Sequence, residues 1–143
     1  MRMRELALDE RFEEAGEVRD RLTALLKGAA RSQRIAPLAA SPQVIAARRH
    51  PRGGWELVCI RHGRLAGSTL APRGAAPMPY VDALISSAEH VDAPVTPLPA
   101  AIIEETEIIA RWLDEPGVRL VDLDGVWSCP VRGAASYADV LAV

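Results

Sequence analysis

The chain has 143 residues, of which 49% are hydrophobic and 25% are charged, and its formal net charge is −2. These values are ordinary for a soluble globular protein of one domain, or of one domain with an appendage, and they exclude a strongly basic, dedicated DNA-binding protein. No apolar run approaches the roughly 20 residues of a transmembrane helix. The N-terminus begins with a charged helical pattern, which is not the pattern of a secretory signal, and two cysteines do not make a disulfide framework. We therefore expect a cytosolic, reduced protein.

Charge is unevenly distributed along the chain. Residues 1–73 hold 14 basic and 8 acidic side chains, whereas residues 74–143 hold 3 basic and 11 acidic ones. Such an asymmetry indicates either an anionic partner or two surfaces that face each other within the fold or across a dimer.

An amphipathic helix is predicted over residues 10–34, because apolar side chains recur there at steps of three and four residues. These side chains are Phe12, Ala15, Val18, Leu22, Leu25, Leu26 and Ala29. A short helix over residues 1–7 is predicted to turn back at Leu8-Asp9, which gives a helical hairpin over residues 1–34. Pro37 and Pro42 predict a linker over residues 35–42.

Three strand-like runs follow, over residues 43–49, 55–61 and 64–70, and turn sequences between them predict an antiparallel meander. The later elements are two helices, over residues 80–91 and from Pro99 to about residue 115, and two strands, over residues 118–123 and 126–131, on either side of Asp124-Gly125. The order of elements predicts an α+β domain over residues 43–143. We expect an antiparallel sheet of about five strands with two helices on one face.

The segment Phe12-Glu13-Glu14-Ala15, followed by Val18-Arg19-Asp20-Arg21-Leu22, resembles the UVR motif. That motif is the short helical hairpin through which bacterial excinuclease subunits B and C recognise each other in nucleotide-excision repair. The residues that the resemblance assigns to partner binding are Phe12, Glu13, Ala15, Arg19, Asp20 and Leu22. It implies that the apolar members contact a partner hairpin and that the charged members fix the helix and its charge pairing. The alternative is an ordinary amphipathic helix.

A second resemblance spans most of the chain through Gly53-Gly54-Trp55-Glu56-Leu57, residues 61–66, residues 111–113 and residues 116–121. These segments are similar to the C-terminal region of bacterial nucleases that fuse a DEDD-type exonuclease, a GIY-YIG endonuclease domain and a UVR-bearing tail. The resemblance implies a role beside DNA-cleaving domains, although the nuclease motifs themselves do not occur in this sequence. Either Met1 is a natural start or the chain is the C-terminal piece of a larger polypeptide.

No catalytic residue, cofactor or metal site is predicted. Cys59 and His62 lie three apart on a predicted strand and so point to opposite faces, which disfavours a shared zinc ion. Asp122 and Asp124 share a strand face that could hold magnesium, but the turn already explains Asp124. The sequence has neither a nucleophile elbow nor a phosphate-binding glycine loop.

Five arginines gather at the ends of the predicted hairpins near Trp55. They are Arg48, Arg49, Arg52, Arg61 and Arg64. Arginines contact phosphates and an exposed tryptophan stacks on bases, so DNA contact is one interpretation. The other is a solvated loop edge beside a core tryptophan.

The sequence therefore favours a non-catalytic accessory region of a DNA-repair nuclease. Its expected partner is an excinuclease-type or other nuclease protein, with DNA as a further candidate. A second hypothesis is a structural domain that forms a homodimer through the apolar face of the hairpin. A third is an unrecognised hydrolase, which would need a pocket with converging acids or His62.

Overall fold

The computed structural model describes residues 2–125. Its elements are, in chain order, α1 (Arg2–Ala40), β1 (Gln43–Arg49), β2 (Trp55–Arg61), β3 (Arg64–Ala71), α2 (Met78–Ser87), α3 (Ile103–Leu113) and β4 (Arg119–Asp124). Within this part of the chain, two compact units follow each other, residues 2–33 and residues 34–125. A search of the described helices finds none with the length and apolar character that crossing a bilayer requires.

One continuous helix replaces the predicted hairpin and linker. α1 passes through Leu8-Asp9 without a turn, because neither residue breaks a helix as glycine or proline does. It also passes through Pro37, whose missing N–H and ring clash cost about 3 kcal/mol in a helix. Burial of Ile35 and Leu38 in the unit of residues 34–125 offsets this penalty, since a fully buried side chain of this size contributes roughly 1.5–3 kcal/mol.

The antiparallel sheet has the strand order β3-β2-β1-β4. The meander of β1, β2 and β3 is confirmed, and β4 returns to pair with β1, so that Ala47 lies opposite Arg119. The α+β class is therefore confirmed. The described sheet has four strands where about five are predicted, and the strand expected over residues 126–131 lies outside the described residues.

Helices cover both faces of this sheet, whereas the sequence predicts them on one face. Val81 of α2 packs in the cluster that contains Ile45. Ile109 of α3 packs in a second cluster with Val44, whose side chain points the other way. β1 serves both faces because residues 44–47 are all apolar and all buried.

Both predicted helices beyond the meander are present, and each is shorter than predicted. α2 ends at Ser87 instead of residue 91, because Ala88 is extended and its N–H closes the last turn onto the carbonyl of Leu84 at 2.8 Å. α3 begins at Ile103, with acidic Glu104 and Glu105 in its first turn, where they complement the helix dipole.

Candidate interaction surfaces

A row of large apolar side chains on α1 lies exposed. Phe12 is 75% exposed, Leu25 is 70% exposed and Leu22 is 47% exposed. We call this row the α1 stripe, defined by Leu8, Phe12, Ala15, Val18, Leu22 and Leu25. Its members share one side of the helix, because positions three, four and seven apart do so. The stripe runs about 26 Å along the axis at 1.5 Å per residue, and such an exposed apolar row is a candidate docking surface.

The six residues assigned to partner binding do not all lie on one side of α1. The three apolar ones belong to the α1 stripe, and Arg19, seven residues after Phe12, borders it. Glu13 and Asp20, which are also seven apart, lie on the opposite side. A partner docked along the stripe would therefore reach Arg19 but not the two acids.

Charge changes sign along α1. Residues 2–20 carry seven acidic and four basic side chains, whereas residues 21–34 carry four basic and no acidic ones. One exposed pair joins the two segments, between Arg21 Nη2 and Glu17 Oε2 at 3.9 Å. A partner helix with the same order of acidic and basic segments would be complementary in charge if it lay antiparallel to α1.

Arg61, one of the five DNA-contact candidates, is held inside the fold. Its Nε and Nη2 donate to Gln43 Oε1 at 3.2 and 2.8 Å. Its Nη1 donates to the carbonyls of Ala88 and Glu89 at 3.1 and 2.8 Å, and its Nη2 donates to that of Ile85 at 3.0 Å. These bonds use all five guanidinium N–H groups, so Arg61 has no donor left for a phosphate.

Arg48 is also engaged. Its Nε and Nη2 donate to Glu56 Oε2 at 3.0 and 2.8 Å, and its Nη1 donates to Glu115 Oε2 at 2.7 Å. The guanidinium lies 5.4 Å from the ring centroid of Trp112. The hydrogen bond that Arg48 donates to Glu56 is the main cause that raises the pKa of Arg48 above its ordinary value. Two carboxylates neutralise this charge, which leaves little attraction for a phosphate.

The remaining three candidates differ in their surroundings. Arg64 pairs with Glu89 at 3.0 Å. Arg49 and Arg52 are exposed and make no ion pair with a described residue, and the guanidinium of Arg49 lies 5.2 Å from the ring centroid of Trp55. The structure thus separates the five arginines into three that pair with described residues of the chain and two that face solvent without such a pair.

Two further exposed arginines, not among the predicted candidates, lie at the same end of the sheet. Arg73 lies against the β1–β2 turn, where a Cβ on Gly53 would be 2.9 Å from its Cδ. Arg119 lies on β4 opposite Ala47. Only the pairing of β4 with β1 brings Arg119 here, and no local signal in the sequence indicates that pairing.

Cys59 and His62 have separate roles within the described residues. Cys59 is fully buried, and burial raises the pKa of its thiol. The His62 ring donates through Nδ1–H to the carbonyl of Ala39 at 3.0 Å, since a carbonyl can only accept. Among residues 2–125, no three His, Cys, Asp or Glu side chains converge as a metal site requires.

Comparison with known proteins identifies the motif and one relative. Residues 2–28 match the UvrB/uvrC motif, which confirms the UVR resemblance. A bifunctional exonuclease/endonuclease protein of Mycobacterium tuberculosis (strain CDC 1551 / Oshkosh) is 46% identical over 140 residues, which cover 94% of this chain and 22% of the relative. No solved structure matches the chain. The chain therefore carries a UVR motif and, over nearly all its length, is similar to about a fifth of a bifunctional exonuclease/endonuclease.

Proposed function

We propose that this chain is a non-catalytic accessory region of a DNA-repair nuclease and that the α1 stripe is its surface for association with an excinuclease-type protein. The observation that carries this proposal is the exposed apolar row inside residues 2–28, the segment that matches the UVR motif. The nuclease context is supported by the relative, whose name describes an exonuclease and endonuclease.

The shape of the α1 stripe favours another helix as the partner. Burying each large side chain contributes roughly 1.5–3 kcal/mol, whereas association costs about 4–15 kcal/mol in lost freedom of motion. A partner must therefore cover most of the stripe at once to bind stably. A helix laid along the stripe does this, since it follows the same straight row over several turns.

The test is binding of the purified chain to excinuclease subunits B and C, measured by surface plasmon resonance. Phe12→Asp should weaken binding by about 100-fold or more, because it places a charge in the apolar contact. Arg19→Ala, at the border of the stripe, should weaken it by roughly three- to tenfold.

Ala24→Asp is the matched control, because Ala24 is an exposed residue of the same helix on the side away from the α1 stripe. It introduces the same carboxylate and should leave binding within about twofold. Circular dichroism checks that both variants keep the helix. Binding that survives Phe12→Asp, or equal losses in the two variants, would overturn the proposal.

A second candidate function is self-association through the same surface. The observation that favours it is the change of charge along α1, because an antiparallel copy sets the acidic segment 2–20 against the basic segment 21–34. Light scattering separates the two functions. A homodimer that Phe12→Asp converts to a monomer, without binding to either excinuclease subunit, supports self-association and argues against the first proposal.

A further inference from the structure

A small apolar groove lies at one end of the sheet, beside the start of α2. Its volume is about 200 Å³, and its walls come from β1, β2, α2 and β4. The lining residues that matter here are Ala47, Trp55, Leu57, Met78, Val81 and Arg119. None of the residues that line it is acidic, and Arg119 is the one that is charged.

One exposed arginine, Arg119, lines this groove, and three more lie near its Trp55 wall. Arg119 shares a sheet face with Ala47, its partner across the ladder. Arg49 is two residues farther along β1 on the same face, opposite Trp55 and 5.2 Å from its ring centroid. Arg52 lies in the turn that joins Arg49 to Trp55, and the side chain of Arg73 lies against Gly53 of the same turn. We call this surface the Trp55 groove, defined by Trp55, Arg49, Arg52, Arg73 and Arg119.

These four arginines make no ion pair with any described residue, in contrast to others in the same unit. Arg48 pairs with Glu56 and Glu115, Arg64 pairs with Glu89, and Arg34 lies 3.9 Å from a carboxylate oxygen of Asp114. Among residues 2–125, several arginines of this unit thus have a carboxylate partner, and the four at the groove have none.

Composition does not explain this cluster. Residues 34–125 hold nine basic and eleven acidic side chains, so the unit is slightly acidic. Glu56 directly follows Trp55, yet strand alternation points it to the opposite face, where Arg48 holds it. An excess of basic charge at one end of an acidic unit indicates an anionic ligand at that end.

We propose that the Trp55 groove binds a segment of single-stranded nucleic acid. This inference rests on the proposed function, because association with a DNA-repair nuclease would bring DNA to the groove. Arginines at its rim contact successive phosphates, and the apolar groove receives the face of a base. The guanidinium of Arg49 lies over one face of the Trp55 ring, and both groups are of the kind that stacks on bases.

Two other ligands fit this surface less well. Duplex DNA offers phosphates to the arginines, but its bases are stacked inside the helix and leave the apolar groove empty. An acidic peptide offers carboxylates, but it lacks the regular series of planar rings that fills the groove beside each charge. The single strand is the ligand that satisfies both the charges and the apolar walls.

The test measures fluorescence anisotropy of a labelled single strand of about 12 nucleotides with the full chain. Replacing both Arg49 and Arg119 with alanine should weaken binding at least about tenfold and reduce the slope of log K against log salt by about 1.4, or roughly 0.7 for each lost phosphate contact. The matched control replaces Arg64 and Arg111, which changes the net charge equally and should weaken binding less than about threefold.

A second readout does not depend on variants at the groove. With Trp112 and Trp127 replaced by phenylalanine, Trp55 is the remaining tryptophan, and stacking on a base should quench its fluorescence. The proposal is overturned by an unquenched Trp55 at saturation, by equal losses in the two double variants, by equally tight binding of a duplex of the same length, or by equally effective competition from polyglutamate.

The two proposals fail separately. Phe12→Asp should leave binding of the single strand unchanged, and the Arg49 and Arg119 variant should leave binding to the excinuclease subunits unchanged. Loss of nucleic-acid binding alone removes the groove assignment, whereas absence of partner binding alone removes the proposed association surface.

Discussion

Arg61 Nη2, at the end of β2, donates a hydrogen bond of 3.0 Å to the carbonyl of Ile85 in the last turn of α2. The same guanidinium bonds the carbonyls of Ala88 and Glu89, just beyond that helix. The last carbonyls of a helix have no partner within it, so a cation there satisfies them and interacts favourably with the helix dipole. Arg61 therefore fixes α2 against the sheet, and the other end of α2 forms a wall of the Trp55 groove.

Replacing Arg61 with alanine should lower the free energy of unfolding by about 2–3 kcal/mol, because three carbonyls and the Gln43 amide oxygen lose their donor. Arg61→Lys should recover only part of this loss, since one ammonium cannot reproduce the planar fork of five donors. Urea denaturation followed by circular dichroism measures both values.

Arg64→Ala is the control for this prediction. Arg64 is three residues away and makes one exposed ion pair with Glu89. Such pairs contribute about 0–1 kcal/mol, so this variant should be close to the parent protein. If both alanine variants unfold at the same urea concentration, the bonds of Arg61 do not stabilise the fold as we describe.

The two ends of α1 should respond differently to the same substitution. Leu38 is fully buried in the cluster that contains Val44 and Ile60, so Leu38→Ala should lower the free energy of unfolding by about 2–5 kcal/mol. Leu25 is 70% exposed, so Leu25→Ala should change it by less than about 0.5 kcal/mol and instead weaken partner binding. Denaturation and plasmon resonance on both variants provide the comparison. A large loss of stability from Leu25→Ala would mean that the α1 stripe is a core surface.

The sequence was sufficient for the parts of the fold that local chemistry determines. β1 and β2 have the predicted bounds and β3 is one residue longer, because turn residues bracket each strand and the His62-Gly63 turn needs the positive φ angles that both residues adopt. The return of β4 to the edge of β1 is a long-range pairing with no local signal. The covering of both sheet faces differs from the expectation of two helices on one face, although the continuous apolar run of residues 44–47 fits a strand buried on both faces.

The candidate sites show where sequence reasoning stops. The pattern of the α1 stripe is the same whether a helix packs in a core or docks on a partner, so its exposure comes only from the structure. The sequence alone does not show which of the five arginine candidates are engaged by other residues and which face solvent. The carbonyls around Arg61 and the carboxylates around Arg48 distinguish them from Arg49, and those acceptors come from elements distant in sequence.

Gly63 should be the more sensitive of two glycines that share a positive φ. Both Gly63, at φ +79°, and Gly74, at φ +85°, would strain an alanine by about 1–2 kcal/mol. A Cβ on Gly63 would also lie 2.8 Å from the Cβ of Pro99 and 3.0 Å from Thr106 Cγ2, whereas a Cβ on Gly74 meets open space. We therefore expect Gly63→Ala to destabilise by about 2–4 kcal/mol and Gly74→Ala by about 1 kcal/mol. Equal midpoints in urea would rule out the crowding at Gly63.

The buried thiol of Cys59 should make stability depend on alkaline pH. Burial raises the pKa of Cys59, while the charge of Arg61 acts in the opposite direction without cancelling this effect. Because the folded state holds the proton more tightly than the unfolded state, this stabilisation is fully present below the ordinary thiol pKa. It is lost as pH rises through that value and through the raised folded-state pKa. The free energy of unfolding should therefore fall across this alkaline window.

The measurement compares denaturation curves at neutral and alkaline pH for Cys59→Ala and its parent, both with Cys129 replaced by serine so that one thiol remains. The alanine variant should lose the part of the alkaline decline that belongs to Cys59, because it has no proton to release there. A thiol-reactive dye should label Cys59 only slowly in the folded parent, since the neutral, buried thiol is a poor nucleophile and must first be exposed by opening of the sheet. Rapid labelling at neutral pH, or the same alkaline decline in both proteins, would contradict the buried, protonated state of Cys59.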